Sequence, residues 1–191
     1  MNLTIGSKAP DFTVNDQDGK PVSLKALKGI KIVLYFYPKD MTPGCTAESC
    51  HLRDNYKALQ ARGYEVFGVS TDNEKSHRKF IEKEKLPFRL LADTDRKLHE
   101  AYGTWVEKSM YGRKYMGTAR KTFVINGSGI IEDIIDQVDT RNHAAQILKE
   151  TSPLTKVAAR KTTAAAKKAP AKKAVKAVKK AATKKPVKKR K

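Results

Sequence analysis

The order of apolar and polar positions over residues 1–150 predicts buried strands that alternate with helices. Residues 30–37 (IKIVLYFY) form an almost unbroken run of apolar, β-branched and aromatic side chains, which is typical of a central strand. A second run of this kind covers Tyr64–Ser70. Between the two runs, apolar residues recur at helical spacing from Thr42 to Arg62, and Gly63 provides a helix stop. The core is therefore expected to begin with a strand, a helix and a second strand.

Further along the chain, the pattern predicts a surface helix, a short strand, a short helix, two strands joined by the turn NGSG, and a last helix. In that order, these elements cover residues 73–85, 88–93, 96–103, Lys121–Ile125, 130–138 and 142–150. Asp18 and Gly19 mark the turn of a small N-terminal hairpin. Helices between strands indicate a mainly parallel sheet, to which the late hairpin adds antiparallel strands. We therefore predict an α/β, thioredoxin-like fold in which helices flank a mixed central sheet.

The composition of the chain changes abruptly after Ser152 and Pro153. Residues 151–191 contain 14 Lys, 2 Arg and no acidic residue, whereas residues 1–150 contain 24 basic and 20 acidic residues. The formal charge of +20 therefore belongs mainly to the last part of the chain. This part has no aromatic residue and too few apolar residues to bury a core. We predict one folded domain over residues 1–150 and a disordered basic tail over residues 151–191.

The N-terminal sequence MNLTIGSKAPDF lacks the basic and apolar segments of a secretory signal. Apolar runs also stay shorter than the ~20 residues of a membrane-spanning helix. A reducing, cytoplasmic location without membrane contact is therefore expected. In that setting, two neighbouring cysteines indicate a catalytic or metal site more often than a structural disulfide.

Both cysteines of the chain, Cys45 and Cys50, follow the first predicted strand closely. Thr42 and Pro43 are typical of a helix start, with Thr as the N-cap and Pro at the first helical position. Cys45 would then lie in the first helical turn, where free backbone N–H groups and the helix dipole favour negative charge. Because the thiolate is the reactive form of cysteine, this position indicates a nucleophile.

Blander interpretations of these residues remain open at this point. Two buried, inert thiols are possible, and Pro38 and Thr42 could serve only as strand stop and helix cap, which leaves their joint spacing to Cys45 unexplained. An exchange site would prefer C-x-x-C, and zinc would need about four ligands, whereas His51 is the one histidine nearby. The other histidines, His77, His99 and His143, are expected at the surface or at helix ends.

The segment PKDMTPGC fits the pattern P-x-x-x-T-x-x-C, which resembles the active-site motif of peroxiredoxins. With the second cysteine five residues on, YFYPKDMTPGCTAESCHLRD resembles the bacterioferritin comigratory protein, or peroxiredoxin Q, subfamily. The later segment EKSMYGRKYMGTARKTFVINGSGII resembles the same subfamily. The resemblance covers residues 1–150, and the Lys-rich tail departs from it.

The resemblance implies a thiol peroxidase that reduces hydrogen peroxide and organic hydroperoxides. Cys45 would be the peroxidatic cysteine, which becomes a sulfenic acid, and Cys50 the resolving cysteine, which condenses with it to a disulfide. Thioredoxin would reduce that disulfide. The resemblance further implies a monomer that needs no metal and no organic cofactor.

Three other residues receive roles from the resemblance. Thr42 would hydrogen-bond the thiolate and the peroxide, and Pro38 would shield the reactive sulfur from water. Arg120 would stabilise the thiolate and the negative charge that develops during the reaction. On the sequence alone, Arg113 and Lys121 are rival cations for this last role.

The spacing of the two cysteines has a geometric consequence. On one intact helix, they are separated by a rise of ~7.5 Å, which places their Cα atoms about 8 to 9 Å apart. A disulfide requires no more than ~7 Å. We therefore predict that the first turns of the helix unwind to close the disulfide, and that Gly44 and Ser49, both weak helix formers, ease this change.

The tail resembles the C-terminal tails of linker histones and of histone-like bacterial proteins. Residues 153–191 are predicted to bind nucleic acid without sequence preference, at a nucleoid or, in a eukaryote, in the nucleus. A solvated tail, or one attracted to RNA or anionic lipid, is the alternative. A rival for the whole chain is a structural protein that compacts nucleic acid and carries a vestigial or redox-sensing thiol domain.

Overall fold

A mixed five-stranded sheet lies at the centre of the structure, a computed structural model that describes residues 3–110 and 112–149. The strands in the described part are β1 Thr13–Asn15, β2 Pro21–Ser23, β3 Lys31–Phe36, β4 Tyr64–Ser70, β5 Arg89–Ala92, β6 Trp105–Met110, β7 Arg113–Thr118, β8 Lys121–Ile125 and β9 Ile131–Ile135. The helices there are α1 Pro43–Asp54, α2 Tyr56–Ala61, α3 Glu74–Glu84, α4 Lys97–Ala101 and α5 His143–Leu148. Residues 151–191, the predicted tail, lie outside the described residues.

The central sheet has the strand order β5-β4-β3-β8-β9. Strand β3 pairs in parallel with β4, and β4 with β5, whereas β8 is antiparallel to both β3 and β9. This arrangement confirms the predicted mixed sheet, to which a late hairpin adds antiparallel strands. The sheet is not mainly parallel, because two of these four pairings are parallel and two are antiparallel. The small N-terminal hairpin, β1 with β2, is confirmed as well.

Strand β3 supplies side chains to both faces of the sheet, which explains why its sequence is apolar throughout. Val33 and Tyr35 belong to one buried cluster, together with Cys45 and the apolar residues of α1 and α5. Leu34 and Phe36 belong to a second cluster on the opposite face. Because β3 is central and buried, its carboxyl end is a rigid base for the loop that leads into α1.

Two expectations for secondary structure were wrong. The predicted helix from Thr42 to Arg62 is divided at Asn55 into α1 and α2, and the Asn55 side chain donates a hydrogen bond to the carbonyl of His51 at 2.8 Å. Asparagine side chains compete in this way with the helical hydrogen-bond pattern. The sequence pattern predicted no element between residues 104 and 120, but this part of the chain contains the β6–β7 hairpin. Its β7 strand is largely exposed, so it lacks the apolar alternation that indicates a half-buried strand.

Three histidines were expected at the surface or at helix ends. The surface alternative is wrong, whereas His143 begins α5 and His99 lies in the last turn of α4. His77, His99 and His143 are fully buried. Each lies beside a buried carboxylate, these being Asp40, Asp93 and Glu48 respectively. The sequence places these acids 37, 6 and 95 positions from their histidines, so local patterns could not indicate the pairing.

Candidate active site

The start of α1 has the predicted geometry. Thr42 is the N-cap with an extended backbone (φ −82°, ψ 148°), and Pro43 occupies the first helical position. The carbonyl of Thr42 accepts a hydrogen bond from the Thr46 amide at 2.8 Å. The Thr42 hydroxyl donates to the carbonyl of Lys39 at 3.1 Å and makes no capping bond within the described residues. Cys45 is therefore in the first helical turn, where it is almost completely buried.

Arg120 contacts the sulfur of Cys45. Its Nη2 lies 3.1 Å from Cys45 Sγ, while its Nη1 donates to Glu48 Oε2 at 2.5 Å. A Cβ atom on Gly44 would lie only 3.0 Å from the same Nη2, so the glycine leaves room for this approach. The guanidinium thus bridges the thiol and a fully buried carboxylate on one face of α1. Cations stabilise a thiolate relative to a thiol.

The two rival cations lie elsewhere. Arg113 is exposed on β7, and Lys121 Nζ lies 2.6 Å from Asp136 Oδ1. A different cation, Lys108 on β6, comes close enough to act on the site electrostatically. Its Nζ donates to the carbonyl of Thr118, and burial together with the charge of Arg120 lowers its pKa, against the opposing effect of Cys45. The β6–β7 hairpin therefore adds a cation that the sequence did not indicate.

Glu48 is more than the helix-start acid that its position alone would suggest. Its Oε1 lies 3.2 Å from His143 Nδ1, although the two groups are not aligned as a hydrogen bond. His143 Nε2 in turn lies 3.0 Å from the hydroxyl of Thr122. A buried row of polar groups thus runs from Arg120 through Glu48 to α5. One helical turn separates Glu48 from Cys45, which is the single sequence signal that connects it with the site.

The loop before α1 is held by a second buried carboxylate, Asp40. Its oxygens accept hydrogen bonds from Tyr37 Oη and Ser76 Oγ, both at 2.7 Å, and lie 2.9 Å from His77 Nδ1. Burial works against ionisation, but the hydrogen bond and charge of His77, together with the hydrogen bonds from Tyr37 and Ser76, lower the pKa of Asp40. Pro38, half-buried, begins this loop next to the end of β3. Asp40 thereby fixes the path of the chain between β3 and α1.

Cys50 has different surroundings from Cys45. Both cysteines are free and lie on the unbroken helix α1, so a helical rise of ~7.5 Å separates them. Cys50 is half-buried, and its Sγ donates to Glu84 Oε2 at 3.5 Å. Burial raises its pKa; the charge of Arg53 opposes this effect, and the hydrogen bond and charge of Glu84 add to it. Cys50 is therefore held as a neutral thiol.

The structure does not bring all five predicted site residues, Pro38, Thr42, Cys45, Cys50 and Arg120, into mutual contact. Cys45 and Arg120 are in contact, and Thr42 and Pro38 flank the same loop. The sulfur of Cys50 contacts Glu84 on α3. Among residues 3–110 and 112–149, three or more His, Cys, Asp or Glu side chains do not come together in a way that could hold a metal ion.

Comparisons with known proteins agree on one family. Residues 5–134 match the AhpC/TSA family. The peroxiredoxin Bcp of Escherichia coli is 44% identical over 146 residues, which are 76% of this chain and 94% of that protein. A structure of peroxiredoxin Q from Xanthomonas campestris matches with a TM-score of 0.69 at 34% identity, covering 72% of this chain and 87% of that one.

A further structure concerns the bacterioferritin comigratory protein of Xanthomonas campestris and its alkyl peroxide reduction activity. It matches with a TM-score of 0.69 at 33% identity, over 72% of this chain and 88% of that one. Both structural matches confirm the predicted thioredoxin-like fold. This chain therefore belongs to the AhpC/TSA family and, within it, to the Bcp or peroxiredoxin Q group of peroxiredoxins, which are thiol peroxidases.

Proposed function

We propose that the protein reduces hydrogen peroxide and organic hydroperoxides through Cys45, with Cys50 as resolving cysteine and thioredoxin as reductant. The observation that carries this proposal is the contact of Arg120 Nη2 with Cys45 Sγ in the first turn of α1. The organic substrates follow the alkyl peroxide activity of the Xanthomonas campestris relative.

In the first step, the Cys45 thiolate attacks one oxygen of the peroxide and the O–O bond breaks. The departing oxygen leaves as water or an alcohol after taking a proton, and Cys45 becomes a sulfenic acid. Arg120 stabilises the thiolate beforehand and the charge on the departing oxygen afterwards. The Thr42 hydroxyl turns from the Lys39 carbonyl to the peroxide, and Pro38 limits the access of water.

In the second step, Cys50 attacks the sulfenic sulfur, and a disulfide and water form. Because both cysteines begin on α1, the first turns of this helix unwind. Two contacts oppose the change, namely the Arg120–Glu48 pair and the hydrogen bond of 3.0 Å between Ser49 Oγ and Tyr35 Oη. Ser49 therefore does not simply ease unwinding, as its low helix propensity suggests. Thioredoxin then reduces the disulfide by thiol–disulfide exchange.

We propose a second activity for the tail, which is non-specific binding of nucleic acid by residues 153–191. The 16 basic residues of the segment 151–191, without any acidic residue, support it. Binding of this kind would hold a peroxidase near nucleic acid in the cytoplasm. The protein would act as a monomer, which is the state that the resemblance to the peroxiredoxin Q subfamily implies.

Substitution of the cysteines tests the proposed chemistry. Cys45→Ser is expected to lower thioredoxin-coupled peroxide turnover by at least about 10³-fold, because it removes the nucleophile. Cys50→Ser is expected to consume one equivalent of peroxide and to retain a sulfenic acid that dimedone traps. Mass spectrometry of the peroxide-treated wild type should map a loss of two hydrogens to Cys45 and Cys50. Unchanged turnover by Cys45→Ser would reject the proposal in favour of the structural rival.

Hydrogen exchange tests the unwinding of α1. In the oxidised protein, the amides of residues 46–49 are expected to exchange faster than in the reduced protein, because the helical hydrogen bonds of the first turns are lost. The amides of β4 serve as an internal control, since the sheet does not change. Equal protection of α1 in the two redox states would contradict the prediction.

Truncation after Ser152 tests the tail. The full chain is expected to retard DNA in gels, with an affinity that falls by about 10³ to 10⁵ between 50 and 200 mM salt if 6 to 10 phosphates are contacted. The truncated protein is expected to lose this binding and to keep its peroxidase activity, which serves as the control. Equal retardation by both proteins would remove the proposed role of residues 153–191.

A further inference from the structure

The thiol of Cys50 lies at a junction between α1 and the end of α3. Its Sγ donates to Oε2 of Glu84, the last residue of α3, at 3.5 Å. The Glu84 side chain is only 17% exposed, and its other oxygen, Oε1, lies 4.0 Å from Lys83 Nζ. One carboxylate oxygen therefore faces the lysine and solvent, while the other faces the sulfur.

The C-terminal half of α1 is fastened to this junction. Arg53 Nη1 donates to the backbone carbonyl of Glu84 at 2.6 Å, and Leu52 is fully buried in the core. The half of α1 that must unwind during disulfide formation is the half that carries Cys45. Cys50 can thus remain beside Glu84 while the unwinding of the N-terminal half of α1 brings the sulfenic acid of Cys45 towards it.

Resolution requires a change in the protonation of Cys50. The nucleophile in thiol chemistry is the thiolate, but Cys50 is held as a thiol. The charged groups that act on it are Arg53 and Asp54 from α1 and Glu84 from α3, where Lys83 also pairs with Glu84. Of these, Glu84 is the group that shares a hydrogen bond with the sulfur.

We infer that Glu84 is the general base of the resolving step, and this inference rests on the proposed role of Cys50. The Cys50 S–H bond breaks, and its proton passes to the Glu84 carboxylate. The sulfur forms an S–S bond with Cys45, the S–O bond of the sulfenic acid breaks, and the departing hydroxide takes a proton to become water. Glu84 returns its proton to solvent, so the step needs no added oxidant or reductant.

Glu84 could affect the rate of disulfide formation in two opposite ways, and neutralising its side chain distinguishes them. A carboxylate that only raised the pKa of Cys50 would hinder resolution, and its neutralisation would supply more thiolate and accelerate the step. A carboxylate that acts as base would, on neutralisation, leave the thiol without a proton acceptor and retard the step.

Stopped-flow measurement of the disulfide-forming phase after one equivalent of peroxide distinguishes these cases. We expect Glu84→Gln to slow this phase at least about tenfold at pH 7, and the rate to rise with pH nearly tenfold per unit, as solvent hydroxide replaces the base. The wild type should show a much flatter profile. The exposed Glu82→Gln on the same helix is the matched control and should behave as wild type. The earlier oxidation phase at Cys45 should be unchanged in every variant.

A faster or unchanged phase in Glu84→Gln would overturn the inference. Slowing by the same factor at every pH would also overturn it. Loss of a purely structural role lowers the rate equally at every pH, whereas loss of a base makes the rate rise more steeply with pH than in the wild type. Absence of a Cys45–Cys50 disulfide in the peroxide-treated wild type would instead overturn the proposed function itself.

Discussion

The buried carboxylate of Glu48 is the constraint on which the active site depends. A charge without solvent is costly unless a partner with good geometry neutralises it, and Arg120 supplies that partner at 2.5 Å. The planar guanidinium offers further donors on the same fork, one of which reaches Cys45 Sγ. The sheet determines where this cation lies, because the antiparallel pairing of β3 with β8 sets Phe36 opposite Lys121. Arg120 therefore emerges beside the loop that leads to Cys45.

The two cysteines differ in their charged neighbours. Cys45 lies beside a cation at a helix start, whereas Cys50 lies beside an anion. In the proposed mechanism, the cation supports the sulfur that attacks the peroxide, and the anion accepts the proton of the resolving thiol. Two cysteines that are five positions apart on one helix thus lie in opposite electrostatic surroundings.

Local sequence patterns indicated the parts of the fold that local physics determines. The apolar run of β3, the helix start at Thr42 and Pro43, and the cysteine motif were all readable because each lies within a few neighbouring residues. The contact of Arg120 with Cys45 joins residues 75 positions apart, and only family resemblance suggested it.

Buried acid–histidine pairs and the β6–β7 hairpin were missed for related reasons. A polar side chain such as that of His143, considered alone, is expected to be exposed. Only the packing of α5 against α1 shows that His143 is buried beside Glu48. In the hairpin, strand pairing outweighs a sequence with little apolar alternation. The tail, by contrast, was assigned from composition, and its domain boundary stays a prediction.

The most direct measurement is the second-order rate constant for oxidation of Cys45 by hydrogen peroxide in the Cys50→Ser background. Arg120→Lys keeps a positive charge for Glu48 but loses the fork that also reaches Cys45. We expect Arg120→Lys to lower the rate constant at least about tenfold, equivalent to ~1.4 kcal/mol of barrier, and Arg113→Lys on the exposed strand β7 to leave it unchanged. Equal rate constants for Arg120→Lys and the parent would contradict the proposed role of the Arg120 fork in activating Cys45.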